Sequence, residues 1–172
     1  MYNPKTFLQA IEQSFKNHKE FTARSPERAK PLHKYLISAL KKIWGKDFHI
    51  ESKATINGKY YPKQVNVTVF KENEPIFCVG ISATYSSFKK NTKNQITNLL
   101  GDTANIQGFE KTPYAQLLIL RHPCPVIENG QIEKFENVEK EDLEKYVKLC
   151  SEVKDINSPY ITGIFLVEIE AC

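Results

Sequence analysis

The sequence predicts an α/β protein in which a central mixed β-sheet is flanked by α-helices. Two amphipathic helices come first, and the apolar period then changes from helical spacing to two near Phe48. Further along, a helix is followed at once by a buried strand, which is typical of a crossover connection. We expect residues 1–172 to form a single domain, because the length suits one core and no linker or repeat interrupts it.

The first two helices are predicted from their caps and their apolar spacing. Residues 3–4, Asn-Pro, precede apolar residues at helical intervals up to about His18. The second helix begins at the capping sequence Ser25-Pro26-Glu27-Arg28, bends or restarts at Pro31 and ends at Gly45. Both helices are expected to pack an apolar face on the core.

Three strands are predicted next. The first contains Ile50, and a turn at Asn57-Gly58-Lys59 leads into a second strand whose valines alternate from Val65 to Val69. The third strand, residues 76–81, is apolar throughout and is therefore expected at the centre of the sheet.

The remaining elements complete the order α-α-β-β-β-α-β-α-β. They are a helix from Lys89 to about Ile106, a strand at Tyr114–Leu120, a loop at His122–Gly130, an acidic helix from Lys140 to about Val153 and a strand at Ile161–Ile169.

The turn between the second and third strands predicts a polar cluster. If residues 71–75 close a regular hairpin, Phe70 faces Ile76, and the same register sets Asn66 opposite Gly80. Continuing outward, Gln64 pairs with Ser82. These small polar positions then share one face, opposite the valines.

This cluster resembles a known nuclease signature. Asn66, followed after thirteen residues by Gly80-Ile81-Ser82, resembles the motif of the PD-(D/E)XK nuclease superfamily, whose fold is called restriction-endonuclease-like. Residues 58–63, 91–94 and 98–106 also look like segments of restriction-enzyme-related proteins. The resemblance covers residues 47 to 121 approximately.

The resemblance implies a Type II-like DNA endonuclease. In that family an aspartate and an acid-x-Lys motif hold one or two Mg²⁺ ions and activate the attacking water. The resemblance places the aspartate at Asn66, the acid at Gly80 and the lysine at Ser82. Asp102 matches an acid that follows a glycine in such relatives, and it is a candidate displaced acid beside the site.

All three central positions depart from the family pattern. A neutral amide, a glycine and a hydroxyl replace the anionic oxygens and the cation that metal-dependent cleavage uses. Cleavage is therefore expected to be absent or weak, through natural loss or through deliberate substitution. A third hypothesis is a relocated Mg²⁺ site, with Glu51 and Asp102 as ligands and Lys63 or Lys53 as the migrated lysine.

A basic, amide-rich segment at the start of the third predicted helix favours contact with DNA, because lysines neutralise phosphates and amides bond to base edges. A net charge of +4 permits such binding. Residues 136–144 carry five acids and mark the other end of the molecule as a poorer site for a polyanion. The candidate DNA contacts are Lys63, Lys89, Lys90, Asn91, Lys93, Asn94 and Asn98.

Other expectations concern surroundings and partners. We expect no secretory leader and no membrane span, and we expect the four dispersed cysteines to be reduced, with Cys78 packed in the core; this favours the cytoplasm. A homodimer is expected because cutting two strands usually takes two sites. Tyr60 and Tyr61 are interpreted as sheet residues in preference to base-stacking residues. The competing function is a non-catalytic interaction subunit that uses residues 136–144.

Overall fold

The computed structural model describes residues 4–21, 25–151 and 161–169. The helices are α1 (Pro4–Glu20), α2 (Lys30–Trp44), α3 (Phe88–Gln107) and α4 (Lys140–Ser151), with a 3-10 turn at Pro26–Arg28. The strands are β1 (His49–Ser52), β2 (Thr55–Ile56), β3 (Lys63–Gln64), β4 (Val67–Lys71), β5 (Glu74–Thr84), β6 (Tyr114–Arg121), β7 (Cys124–Glu128), β8 (Gln131–Glu136) and β9 (Ile161–Val167).

A five-stranded mixed sheet organises the chain in the order β1-β4-β5-β6-β9. β4 runs antiparallel to both β1 and β5, whereas β5, β6 and β9 run parallel to one another. Side chains of α3 and α4 pack on one face, where they meet Leu118, while α1 and α2 pack on the other, where they meet Ile119. The predicted α/β class, mixed sheet and central position of β5 are confirmed.

The predicted helices at the start of the chain are confirmed. Phe7, Ile11 and Phe15 of α1 are buried, as their spacing predicts. Asn3, the proposed cap, lies outside the described residues. Ser25 caps the 3-10 turn, α2 restarts at Lys30 next to Pro31, and Gly45 ends α2 at a φ of 83°.

The register of the β4–β5 hairpin is confirmed in part. Val67 pairs with Val79 and Val69 with Phe77, but a bulge after Val69 pairs Phe70 with Pro75, so the predicted Phe70–Ile76 pair is wrong. Before β4 the chain leaves the main sheet.

The predicted pair of Gln64 with Ser82 is also wrong. Gln64 pairs with Thr55 in the separate β2–β3 ladder, and Ser82 lies beside Leu118 of β6. The Val65 N–H donates to the Ala54 carbonyl, which holds this part of the chain in the small ladder.

The loop predicted at His122–Gly130 is instead the start of the β7–β8 hairpin, so that prediction is wrong. Asn129 and Gly130 both have positive φ, 51° and 78°, as tight hairpin turns require. The later elements agree better with expectation: α4 begins at Lys140, and β9 begins at Ile161 and ends at Val167, two residues early. Residues 152–153, predicted to end the acidic helix, lie outside the described residues.

Cys78 is buried among core side chains, as predicted, and burial raises the pKa of its thiol to about 11. Cys124 is buried as well. The side chain of Cys150, and the whole of Cys172, lie outside the described residues. None of the described helices has the length and apolar character needed to cross a membrane.

Candidate functional site

A small cavity between the middle of β5 and the helix α3 brings together most of the residues assigned to the catalytic motif. Its volume is about 140 Å³. Asn66, Gly80, Ser82 and Asp102 all line it, and Asn98 lies on the α3 side. The cavity lies where α3 packs on β6, the strand next to β5, and Asn66 directly precedes β4.

Both amide atoms of Asn66 are engaged. Oδ1 accepts a hydrogen bond from the Ile81 N–H at 2.9 Å, and Nδ2 donates to Nε2 of His33 at 3.1 Å. Accepting that bond requires the neutral ring of His33. Burial, with a smaller effect from Lys53, lowers the pKa of His33 and favours that form. Asn66 is therefore fixed in orientation, with its carbonyl oxygen directed at the β5 backbone.

Gly80 is packed against a buried phenol. A Cβ atom at this position would overlap the Tyr114 hydroxyl oxygen and Oε1 of Gln116. The Tyr114 hydroxyl donates to that Gln116 oxygen at 2.9 Å, and burial raises the pKa of Tyr114. A carboxylate side chain at position 80 would require Tyr114 to move.

Asp102 forms an ion pair across the cavity wall. Its Oδ1 lies 2.7 Å from Nζ of Lys63, which comes from β3, and the side chains are 24% and 33% exposed. The structure thus joins two residues that the sequence analysis proposed for a relocated site. The charge of Asp102 is matched by this lysine.

The other proposed metal ligand, Glu51, does not line this cavity. Its carboxylate contacts Nε2 of His49 at 3.0 Å on the exposed surface of β1. In the described ranges, no group of three or more His, Cys, Asp and Glu side chains could hold a metal ion. Since the Asn66 carbonyl is engaged and Asp102 is paired, the residues at the cavity do not fit Mg²⁺.

A wider cleft of about 420 Å³ continues from this cavity along α3, sharing Gln95 and Asn98 with it. The predicted amides Asn91 and Asn94 line the cleft together with Asn98, so the three asparagines do share one helix face. Arg28 lines the opposite wall, where its guanidinium contacts Nδ1 of His18. The cavity and the cleft together are called the amide cleft below.

The predicted lysines lie around the start of α3. Lys89, Lys90 and Lys93 are exposed and do not line the amide cleft. The Lys89 N–H donates to Oε1 of Glu136 at 2.8 Å. The expected separation of basic and acidic ends is therefore wrong, because the β7–β8 hairpin brings an acid to this helix terminus.

Sequence reasoning missed several residues of the site, among them Tyr114, Gln116, His33 and Arg28. Tyr114 and Gln116 carried a signal, since polar groups at alternate positions of an otherwise apolar strand need buried partners. His33 and Arg28 carried none, because each depends on how the first helices pack on the sheet.

No protein-family model and no curated protein matches the sequence. A solved structure described as a cryoEM structure of a DrdV–DNA complex matches 83% of this chain at 9% identity, with a TM-score of 0.36. This chain spans 13% of that protein's length. Nothing about site or ligand carries over from a match at this level.

Proposed function

We propose that this protein binds DNA in the amide cleft, has the restriction-endonuclease-like fold, and cleaves DNA weakly or not at all. The observation that carries the proposal is the clustering of Asn66, Gly80, Ser82 and Asp102 in one cavity that opens into a cleft lined by asparagines. The resemblance to the nuclease signature assigns its motif to the same positions.

The chemistry of the cleft supports binding to DNA. Asparagine and glutamine amides both donate and accept, so they can bond to base edges and to phosphate oxygens. Arg28 supplies a cation inside the cleft. The exposed lysines Lys90 and Lys93 lie in the first turns of α3, next to the cleft asparagines of the same turns. In this position they can neutralise phosphates.

The cavity also supports weak or absent cleavage. In metal-dependent cleavage, a cation such as Mg²⁺ stabilises the charge that develops on the phosphate. Anionic oxygen ligands of the protein hold that cation. Here both amide atoms of Asn66 are hydrogen-bonded, and Asp102 is paired with Lys63. The Tyr114 hydroxyl occupies the space that a side chain at position 80 would need. This donor set therefore does not fit Mg²⁺.

Salt dependence tests the binding. Fluorescence anisotropy of a labelled duplex would be measured between about 50 and 200 mM salt for the protein and for Lys90→Gln/Lys93→Gln. We expect the double variant to bind more weakly. The negative slope of log K against log salt should become less steep by about two. The matched control is Lys41→Gln/Lys42→Gln, which removes two exposed lysines from α2 on the other side of the sheet. No binding at low salt, or an equal effect of both pairs, would contradict the proposal.

A plasmid assay tests the cleavage. With Mg²⁺ or Mn²⁺ present, we expect the protein to leave supercoiled plasmid essentially intact. Cutting only by Asn66→Asp/Ser82→Lys would support the motif assignment and the loss of activity together.

The second candidate function is a nuclease with relocated acids, for which the structure brings Lys63 to Asp102 but leaves Glu51 outside the cavity. It predicts cutting by the unmodified protein that Asp102→Asn abolishes. A homodimer is part of either nuclease-derived proposal, and light scattering would detect it as twice the chain mass of 19.8 kDa. If the protein neither binds nor cuts DNA, the interaction subunit becomes the better hypothesis.

A further inference from the structure

The loop between β2 and β3, residues 57–62 and named here the tyrosine loop, is held in place by one buried side chain. Asn105 of α3 is 1% exposed. Its Oδ1 accepts hydrogen bonds from the Tyr60 N–H at 2.9 Å and the Tyr61 N–H at 3.3 Å, and its Nδ2 donates to the Tyr61 carbonyl at 3.0 Å. The Lys59 N–H donates to the Asn105 carbonyl at 2.8 Å. Four bonds from one residue thus fix the loop backbone.

The loop also depends on a glycine at its start. A Cβ atom at Gly58 would overlap the Asn105 side chain, so the loop backbone approaches α3 more closely than other residues allow. This close approach keeps Asn105 buried and its amide within reach of the loop.

This ordered backbone displays two large aromatic side chains to solvent. Tyr60 is 70% exposed and Tyr61 is 49% exposed. Neither belongs to a strand, so their interpretation as sheet residues is wrong. The ammonium group of Lys59 lies 5.3 Å from the centre of the Tyr60 ring. Because the backbone is already ordered, binding of a ligand to these rings costs little conformational entropy of the loop.

We propose that the tyrosine loop is a stacking site for unpaired nucleobases of a polynucleotide. Aromatic rings stack on any base face, and a lysine beside the ring can neutralise the adjoining phosphate. The loop is continuous with the amide cleft, since Lys63 directly follows it and pairs with Asp102 of the cavity. This inference rests on the proposed function and names the form of DNA that this part of the site takes.

Affinity for a single strand tests the inference. Anisotropy of a labelled single strand and of the duplex with the same sequence would be compared for Tyr60→Ala, Tyr61→Ala and Tyr60→Phe. Each alanine variant is expected to weaken single-strand binding by about 5- to 100-fold and duplex binding much less. Tyr60→Phe retains the ring and is expected to bind like the unmodified protein. A strand carrying 2-aminopurine should lose fluorescence on binding, and that quenching should disappear in Tyr60→Ala/Tyr61→Ala.

The matched control is Phe135→Ala, which removes an aromatic ring of similar exposure, 52%, from β8. If the alanine variants at the loop change single-strand affinity no more than this control while the protein still binds duplex, the stacking site is overturned and the proposed function stands. Equal losses for duplex and single strand also overturn it, because stacking needs unpaired bases. If the unmodified protein binds neither probe, both proposals fail.

Discussion

The glycine at position 80 leaves room for a buried hydroxyl group. Because Tyr114 is 4% exposed and its hydroxyl bonds to Gln116, the ring has little freedom to move aside. Gly80→Ala is therefore expected to lower the free energy of unfolding by about 1–3 kcal/mol, the usual cost of overpacking a filled interior. Urea unfolding would measure this loss.

Two variants make that expectation specific. Gly80→Ala/Tyr114→Phe should lose less than the two single variants together, since removing the hydroxyl relieves part of the overlap. Gly101→Ala is the matched control, because a Cβ there meets no atom within 4 Å and alanine favours the helix by up to about 1 kcal/mol. A neutral Gly80→Ala would show that Tyr114 does not fill this position.

His33 links the stability of the protein to pH. Its folded-state pKa is lowered by burial, and less by Lys53, whereas the unfolded residue titrates near 6.5. The unfolded chain therefore gains a proton first as the solution is acidified. The contribution of His33 to the free energy of unfolding is fully present above pH 6.5. It is lost as the pH falls through the folded-state pKa.

His33→Gln tests this coupling, because the Gln oxygen can accept the Asn66 bond but does not titrate. Urea unfolding between pH 7.5 and 5 should show a smaller loss of stability on acidification than in the unmodified protein. His18 also has a lowered pKa, through burial and then Arg28, so part of the pH dependence should remain until His18→Gln is added. An unchanged pH profile in the double variant would contradict this assignment.

At the residue scale, spacing placed Asn66, Gly80 and Ser82 together but wrongly added Gln64, and it did not predict what each side chain contacts. The alternation of strands was enough to place Asn66 and Gly80 on one face. The bond from Asn66 to His33 and the contact of Gly80 with Tyr114 join residues more than thirty positions apart. Such contacts depend on tertiary packing, which local spacing does not encode.

The element that shapes one end of the amide cleft is the start of α3. Ser87 has left-handed φ and ψ of 51° and 50° and makes no side-chain cap, so the Glu136 carboxylate supplies the acceptor for the Lys89 N–H. Glu136→Ala should lower the free energy of unfolding by about 0.5–2 kcal/mol, measured by urea unfolding. Glu133→Ala, an exposed acid on the same strand, is the control and should change stability by less than about 0.5 kcal/mol.

Glu136→Gln separates the charge of this residue from its hydrogen bond. The amide oxygen can still accept from Lys89, so stability should change less than in Glu136→Ala. Removing the negative charge beside the exposed lysines should at the same time strengthen duplex binding in the anisotropy assay. Weaker binding by this variant would contradict the placement of DNA near the start of α3.

Elements with a strong apolar period were predicted well, and short irregular ones were not. The helix α3 and the strand β6 begin within one residue of their predicted starts. The β7–β8 hairpin was missed, although Asn129-Gly130 between apolar residues is a hairpin signal that the proline residues nearby obscured. The apolar spacing did not predict the β4–β5 bulge, because an extra residue in one strand leaves the apolar pattern almost unchanged.

For the whole molecule, the amide cleft depends on elements from both faces of the sheet. Arg28 precedes α2 on one side, and Asn91 belongs to α3 on the other. A ligand in the cleft would therefore contact parts of the chain that separate on unfolding. Its binding free energy adds to the stability of the entire fold.

This linkage gives a test that needs no label on the DNA. At a free DNA concentration of about 100 times Kd, binding adds about 2.7 kcal/mol to the free energy of unfolding. For a chain of this size that corresponds to a rise in Tm of about 5–10 °C, measured by differential scanning fluorimetry. Lys90→Gln/Lys93→Gln should show a smaller rise and Lys41→Gln/Lys42→Gln the full rise, and raising the salt should reduce both because counterion release drives the binding. A Tm that DNA leaves unchanged at low salt would contradict binding to the folded protein.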